Sequence, residues 1–184
     1  FSPMIQKGIR LHRSIDSFTD AHPVTKEMKE VFKPAYGLYA GAFTDIVYDY
    51  FLANDSNEFT SHQELELFSI NSYMHIEKKL AELPTGFQLI FPYMKQYNWL
   101  YNYRHPWGIQ KSFTGLVKRA KYMEDPDTAY RIFTENLQQL NLHYAEFFPL
   151  LKIHANHTLA QLLNTDKYIS EKTLLAIKRN LFET

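Results

Sequence analysis

The chain has 184 residues, of which 45% are hydrophobic, and it contains no cysteine and equal numbers of basic and acidic residues, 20 of each. A chain of this length buries a core as one domain without disulfides, and the absence of cysteine excludes thiolate metal sites and cysteine nucleophiles. The zero net charge excludes an overall field that attracts nucleic acid, so an anionic partner has to meet a local basic patch.

The sequence pattern favours an all-α fold. Glycine is scarce, with six residues, and alternation of apolar and polar positions is nearly absent. No apolar run approaches the roughly 18 to 20 residues of a membrane-spanning helix, and no basic start followed by an apolar stretch suggests a signal peptide. We therefore predict a cytoplasmic protein without membrane segments, built as a single-domain bundle of about seven or eight helices.

Capping residues and prolines predict the helices in the first third of the chain. Ser2-Pro3 fits a cap followed by the first helical position, which predicts a helix to about residue 19. His22-Pro23 begins a second helix through about residue 32. Pro34 is then expected to break the chain, with a third helix starting near residue 36.

Four more helices are predicted downstream, each opened by a cap or a proline. They cover about 61–83, where Ser61 and Glu64 have capping-box spacing, 87–103, kinked or split at Pro92, 106–122, and a long segment that begins at Asp125-Pro126 and continues past Pro149. Residues 164–184 are predicted to form a separate amphipathic helix. We expect residues 1–157 to form the main helical domain and 158–184 a C-terminal helical extension.

The first predicted helix carries a histidine and an aspartate with metal-ligand spacing. His12 and Asp16 are four residues apart and so project from adjacent turns. An imidazole and a carboxylate in this arrangement can bind a divalent cation, and a salt-bridged helix face is the alternative interpretation. Arg13 is the nearest candidate for pairing with a phosphate, since a guanidinium can donate two parallel hydrogen bonds.

The third predicted helix carries a pair of carboxylates. Asp45 and Asp49 are four residues apart within an otherwise apolar and aromatic segment, so burial all round is expected. Two carboxylates in such surroundings repel each other and lose hydration. They therefore require a cation, an arginine or protonation, and salt bridges to Arg13 or another cation are the alternative to a metal.

Four segments together resemble the acyl carrier protein phosphodiesterase family. Residues 8–23, GIRLHRSIDSFTDAHP, look like the family signature, and 45–52, DIVYDYFL, are similar to its second acidic helix. Residues 98–104, NWLYNYR, resemble its tryptophan-containing segment, and 143–149, HYAEFFP, its closing helix. The likeness spans about residues 3–150.

This resemblance implies a fold, a cofactor and a reaction. The fold is a helical one related to HD-domain phosphohydrolases, and the cofactor is manganese or another divalent metal such as magnesium or iron. The reaction is hydrolysis of the phosphodiester that joins 4'-phosphopantetheine to a serine of holo-acyl carrier protein. The resemblance further implies a helix and turn with additional His and Asp residues preceding Phe1.

The candidate site residues acquire roles from this reaction. His12, Asp16, Asp45 and Asp49 are the ligand candidates for a metal that lowers the pKa of bound water. Asp49 is also a candidate to orient or deprotonate the attacking water, and Arg13 to bind a phosphate oxygen.

An acidic carrier protein requires a basic surface on an enzyme of zero net charge. Lys118 and Lys121 can share one flank of the sixth helix, whereas Arg119 points elsewhere and can reach back towards Arg104 near the site entrance. These four residues are the predicted substrate and partner contacts. An ordinary helix end, where cations favour the C-terminal dipole, is the alternative.

Two other functions are consistent with the same residues. One is a related metal phosphohydrolase that acts on a nucleotide or small phosphoester. The other is a non-catalytic helical binding protein with a degraded site. Metal analysis separates the second from the enzymes, and a carrier-protein assay separates the enzymes from each other.

Overall fold

The computed structural model describes residues 2–120 and 125–163, and it confirms the all-α prediction, with no strand in these two ranges. The chain divides into two compact units. The smaller unit combines the residues through His22 with those from Phe147 onward, and the larger unit is Pro23–Glu146. Across the described ranges, no helix combines the length and apolar character that crossing a bilayer requires.

Nine α-helices occupy the described ranges, one of them a single turn. They are α1 Pro3–Ala21, α2 Pro23–Tyr36, α3 Ala40–Ala53, α4 His62–Glu77, α5 Thr85–Gln96, α6 Trp99–Asn102, α7 Pro106–Arg119, α8 Pro126–Glu135 and α9 Leu137–Leu163. Two 3-10 turns lie at Gly37–Tyr39 and Leu80–Glu82. The predicted helix over 164–184 lies outside the described residues, and the boundary predicted at 157/158 stays a prediction.

The predicted helix caps are confirmed. The Ser2 hydroxyl accepts a hydrogen bond from the Ile5 amide at 3.4 Å, and the Ser61 hydroxyl accepts one from the Glu64 amide at 3.2 Å. The Glu64 carboxylate reaches back to Thr60, one residue before the expected cap, and accepts from its amide and its hydroxyl. The Asp125 carboxylate accepts from the first amides of α8. These bonds satisfy amides that a helix start leaves unpaired.

The predicted break at Pro34 is wrong, because α2 continues through it to Tyr36. Pro34 lies in the last turn of α2, where a proline removes one main-chain hydrogen bond. Few residues follow it in the helix, so the loss of that bond is tolerated. Tyr36 holds that turn in place. Its buried ring stacks on Phe43 at 4.1 Å, and its hydroxyl donates to the Asp125 carbonyl at 2.6 Å.

Other helix boundaries differ from the prediction at two asparagines. The fifth segment does not divide at Pro92 but after Gln96, where Asn98 adopts a left-handed φ of 41°. The segment after Asp125 divides at Asn136, whose side-chain amide donates to the Ile132 carbonyl at 2.8 Å. Asparagine tolerates the left-handed region, as at Asn98, and its side chain can bond to a backbone carbonyl, as at Asn136. Both properties favour the end of a helix. In addition, α4 ends at Glu77, before the predicted residue 83. The continuation of α9 past Pro149 is confirmed.

Four phenylalanines form the centre of the larger unit. The fully buried Phe113 ring of α7 lies 5.4 Å from Phe43 of α3 and 6.0 Å from Phe32 of α2. Phe133 of α8 lies 6.1 Å from Phe113. Burying a side chain of this size contributes roughly 1.5–3 kcal/mol, so these rings fix α3 against α2, α7 and α8.

The smaller unit joins α1 to the end of α9. The Ser14 hydroxyl lies 2.9 Å from His154 Nε2, and the Phe18 ring stacks on the His154 imidazole at 4.4 Å. His22, the C-terminal cap of α1, packs its ring against Phe147 at 4.9 Å. No residue of α1 is buried, so each of its side chains is at least partly exposed.

Candidate functional site

Helix α3 places Asp45 and Asp49 side by side. The helix buries Phe43, Val47 and Phe51 on one face, while both aspartates are exposed. The expectation that both acids are buried all round is therefore wrong. Four-residue spacing puts the two carboxylates on one exposed face of the helix, close enough for the charge of Asp45 to act on Asp49.

Asp49 has the most perturbed carboxyl group of the described residues. Burial first, and the negative charge of Asp45 second, raise its pKa from 3.8 to about 7. Its side chain nevertheless remains exposed to water, so the carboxyl is flanked by protein but open on one side. A group that is partly protonated near neutral pH and reachable from solvent can accept or donate a proton during a reaction.

Tyr103, which lies between α6 and α7, is affected by the charge of Asp49 on α3 and by that of Arg119 on α7. Its pKa is raised to about 12, by burial first and then by the charge of Asp49, while a hydrogen bond with Ser112 and the charge of Arg119 oppose the rise. Tyr103 thus stays protonated at physiological pH and can donate a hydrogen bond. Arg119, a residue predicted from the sequence, lies within electrostatic range of it.

Tyr103 is not among the site residues predicted from the sequence. The residue belongs to the aromatic segment 98–104, but aromatic residues make up 16% of the chain and most of them are packing residues. Its position depends on Gly108. A Cβ atom at Gly108 would lie 1.9 Å from the Asn102 carbonyl oxygen, so only glycine permits the close approach of α6 to the start of α7.

Tyr48 lies between the two aspartates in the sequence and links α3 to α2. Its hydroxyl lies 2.8 Å from that of Thr25, a fully buried residue of α2. Burial is the main cause that raises the Tyr48 pKa to about 12, and the charge of Asp45 adds to it. The neutral Tyr48 side chain therefore anchors α3 and lies close to the acidic pair.

The predicted His12 and Asp16 pair is found in the smaller unit. His12 Nδ1 lies 3.0 Å from Asp16 Oδ2, and the two side chains are 75% and 56% exposed. The prediction that they project side by side is confirmed, and the contact is also what a salt-bridged helix face would show. Arg13, between them in sequence, is exposed as well.

The donor chemistry of these pairs fits a divalent cation only in part. Carboxylate oxygens and an imidazole nitrogen suit manganese, magnesium or iron. A catalytic metal generally requires three protein ligands or more. Within the described ranges, no three histidine, aspartate or glutamate side chains are grouped as a metal site, and each unit supplies one pair. The metal and its ligands stay predictions.

The predicted partner surface is described in part. Lys118 and Arg119 are exposed in the last turn of α7, and Lys121 lies outside the described residues. Arg104 is half-buried between α6 and α7, with its guanidinium against Tyr101 and His62. The contact with His62 joins residues 42 positions apart and had no signal in the sequence.

Comparison with known proteins identifies the family to which the chain belongs. A sequence model of the acyl carrier protein phosphodiesterase family matches residues 1–151. The chain belongs to this family. The match contains all four segments on which the resemblance rests, so that prediction is confirmed. No solved structure matches the chain.

Bacterial relatives carry the same family name. An acyl carrier protein phosphodiesterase of Photorhabdus laumondii subsp. laumondii is 26% identical over 168 residues, 91% of this chain and 81% of the relative. Relatives of the same name from Enterobacter sp. and Yersinia pestis are each 25% identical, over 150 and 157 residues. The alignments cover 82% and 85% of this chain, and 78% and 81% of the two relatives.

Proposed function

We propose that this chain hydrolyses the phosphodiester of holo-acyl carrier protein, releasing 4'-phosphopantetheine and leaving apo-acyl carrier protein, in the cytoplasm. The observation that carries the proposal is the family match over residues 1–151. The relatives named for this activity align over about four fifths of their own length, so the likeness is not confined to one motif.

The larger unit offers groups suited to this reaction. Water adds to phosphorus and gives up a proton, the bond from phosphorus to the serine oxygen breaks, and that oxygen takes up a proton. Asp49, with a pKa of about 7 and an open side, is suited to accept the proton of water. Tyr103 and Arg119 supply a neutral donor and a positive charge within electrostatic range of that region.

The proposal includes a divalent metal, with manganese as the preferred ion, and its ligand candidates remain His12 and Asp16 in the smaller unit and Asp45 and Asp49 in the larger unit. Such an ion, when bound, lowers the pKa of water and neutralises charge on the phosphate. The two side-by-side acid-containing pairs support this choice. Arg13 is proposed to pair with a phosphate oxygen, as its planar guanidinium allows.

Mass spectrometry of holo-acyl carrier protein tests the proposal. With manganese present, the carrier protein should lose the phosphopantetheine mass, and Asp49→Asn should reduce the rate severely. Asp127→Asn is the matched control, because Asp127 is an exposed aspartate in the first turn of α8. Hydrolysis of nucleotides or small phosphoesters without release of phosphopantetheine from holo-carrier protein would refute the proposed substrate. If the chain hydrolyses neither the carrier protein nor these small phosphoesters in the presence of metal, the proposal that it is a metal-dependent enzyme is refuted.

A further inference from the structure

A cationic cluster lies in the larger unit, and two of its residues directly follow Tyr103 in the chain. It consists of His62, the first residue of α4, together with Arg104 and His105, which connect α6 to α7. Arg104 Nη2 lies within hydrogen-bond distance of His62 Nε2, and Arg104 Nη1 donates to the Tyr101 hydroxyl at 2.8 Å. The tertiary fold thus brings three basic side chains together from two separate segments.

The guanidinium of Arg104 is only partly satisfied by the protein. A guanidinium has five N–H donors, and the structure uses two of them, on Tyr101 and His62. Its Nε is buried and has no hydrogen-bond partner among the described residues. The ring of Tyr101 lies 5.2 Å below the guanidinium carbon and restricts its orientation. Besides the buried Nε–H, one N–H on each terminal nitrogen has no partner among the described residues and can donate to a ligand.

No carboxylate neutralises this cluster within the part of the chain that the structure describes. Lys33, Lys79, Lys95 and Arg131 each pair with a glutamate, whereas no ion pair involves Arg104, His62 or His105. The pKa of His105 is lowered, first by burial and then by the charges of Arg104 and His62. Burial and the neighbouring charges therefore disfavour the protonated form of His105 until an anion reaches it.

An exposed aromatic surface adjoins the cluster. The His105 ring stacks on Trp107 at 5.4 Å and 13°, and Lys111 Nζ lies 4.9 Å from the Trp107 ring centre. His105 is also the N-terminal cap of α7, where no side chain bonds to the first amides of the helix. These amides add partial positive charge to the same region.

We propose that His62, Arg104 and His105 form a binding site for a doubly charged phosphate group, of the class found in phosphate monoesters. Arg104 is a permanent cation and His105 becomes a second one when it takes up a proton, so together they match a charge of minus two, whereas a carboxylate or a phosphodiester carries only one negative charge. Trp107 is partly exposed beside His105, so the organic part of a monoester bound here can contact it. Hydrolysis of a phosphodiester yields a monoester, so the product of the proposed function belongs to this class, although binding does not depend on that activity.

Nuclear magnetic resonance of the histidine rings tests this site with inorganic phosphate and, separately, with ethyl phosphate. Signals are assigned with His62→Gln and His105→Gln, and sodium chloride keeps the ionic strength constant. Both ligands should raise the pKa of His105 by about one unit or more, because an opposite charge favours the protonated ring. Ethyl phosphate should in addition change the fluorescence of Trp107.

Two arginine variants separate the site from general charge effects. Arg104→Gln should weaken phosphate binding about tenfold or more, the value of one or two hydrogen bonds to a charged group. Arg131→Gln, which removes an exposed arginine on α8, should bind phosphate as the parent does. Arg104→Lys keeps the positive charge but loses the planar guanidinium, and it should bind phosphate with intermediate affinity. Such binding would also show that a substitution at this position leaves the protein folded.

Clear results would overturn the proposal. They are an unchanged His105 pKa in the parent with both ligands, or equal responses of Arg104→Gln and Arg131→Gln. Binding of inorganic phosphate with exclusion of ethyl phosphate would overturn the assignment to monoesters. Since no carrier protein is used, failure of this test and failure of the proposed function are separate observations.

Discussion

The hydroxyls of Thr25 and Tyr48 lie 2.8 Å apart and join α2 to the helix that carries both site aspartates. Thr25 is fully buried, so its hydroxyl depends on this partner. Tyr48 stands between Asp45 and Asp49 in the sequence. Because the bond fixes the rotation of α3 about its axis, it also fixes the direction in which the two carboxylates project.

Tyr48→Phe is expected to lower the free energy of unfolding by about 1–2 kcal/mol, since it leaves the buried Thr25 hydroxyl without its partner. Thr25→Val removes the other hydroxyl, and the double variant should cost less than the sum of the two changes. Urea denaturation measures all three. Tyr93→Phe is the control, because Tyr93 is exposed. Equal stability of the Tyr48 and Tyr93 variants would contradict this role.

Asp49→Asn is expected to stabilise the metal-free protein above about pH 7, with no gain below pH 3.8. The folded pKa of about 7 exceeds the ordinary value of 3.8, so the folded state retains a proton that the unfolded state loses as pH rises between them. The stability of the parent therefore falls across this window, and the asparagine variant lacks that fall. Thermal unfolding in chelator at several pH values measures the effect.

Asp127→Asn serves as the control for that experiment, because it makes the same substitution at an exposed aspartate in the first turn of α8. A gain of stability above pH 7 in both variants would refute the assignment to Asp49. The combination of higher stability and lost activity in Asp49→Asn is typical of residues kept for function.

Much of the fold could be predicted because helix starts depend on local chemistry. Ser2, Ser61 and Asp125 cap helices through bonds to amides two or three residues away, which a sequence pattern contains. The end of α2 could not be predicted in this way. It depends on Tyr36 and its bond to Asp125, 89 positions further along the chain.

The candidate site shows the same division between local and long-range information. The spacing of Asp45 and Asp49 predicts that they share a face, because helix geometry determines it. Their exposure and the pKa of Asp49 depend on which faces of α3 the other helices cover. The approach of Tyr103 to Asp49 depends on the tight packing at Gly108, which no local pattern shows.

Phe113→Ala is expected to lower the free energy of unfolding by about 3–5 kcal/mol, because it opens a cavity among fully buried rings. Phe113→Leu should cost less, since most of the volume is kept. Denaturant titration gives both values. Trp107→Ala, at a 46% exposed position of the same helix, is the control. A cost for Phe113→Ala no greater than that control would show that these rings do not hold α3 in place.

Lys118→Glu is expected to raise the KM for holo-acyl carrier protein several-fold and to leave kcat nearly unchanged, since exposed charges act mainly on encounter. Added salt should weaken the parent in the same direction. Lys33→Glu, on the exposed side of α2, is the charge-matched control. Steady-state kinetics at low ionic strength measures the difference. Identical KM values for the two variants would exclude the end of α7 as the docking surface.

Hydrolysis of holo-acyl carrier protein by this chain is tested most sharply by mass spectrometry of the reaction products formed in oxygen-18-labelled water. Attack of water on phosphorus predicts that released phosphopantetheine carries one labelled oxygen, while the serine of the apo-carrier protein carries none. Asp45→Asn, which keeps the side-chain shape but removes its charge, should fold normally and form little of either product. Label in the serine oxygen, or no metal-dependent release from holo-acyl carrier protein by the parent chain, would contradict attack of water on phosphorus at a metal-assisted site.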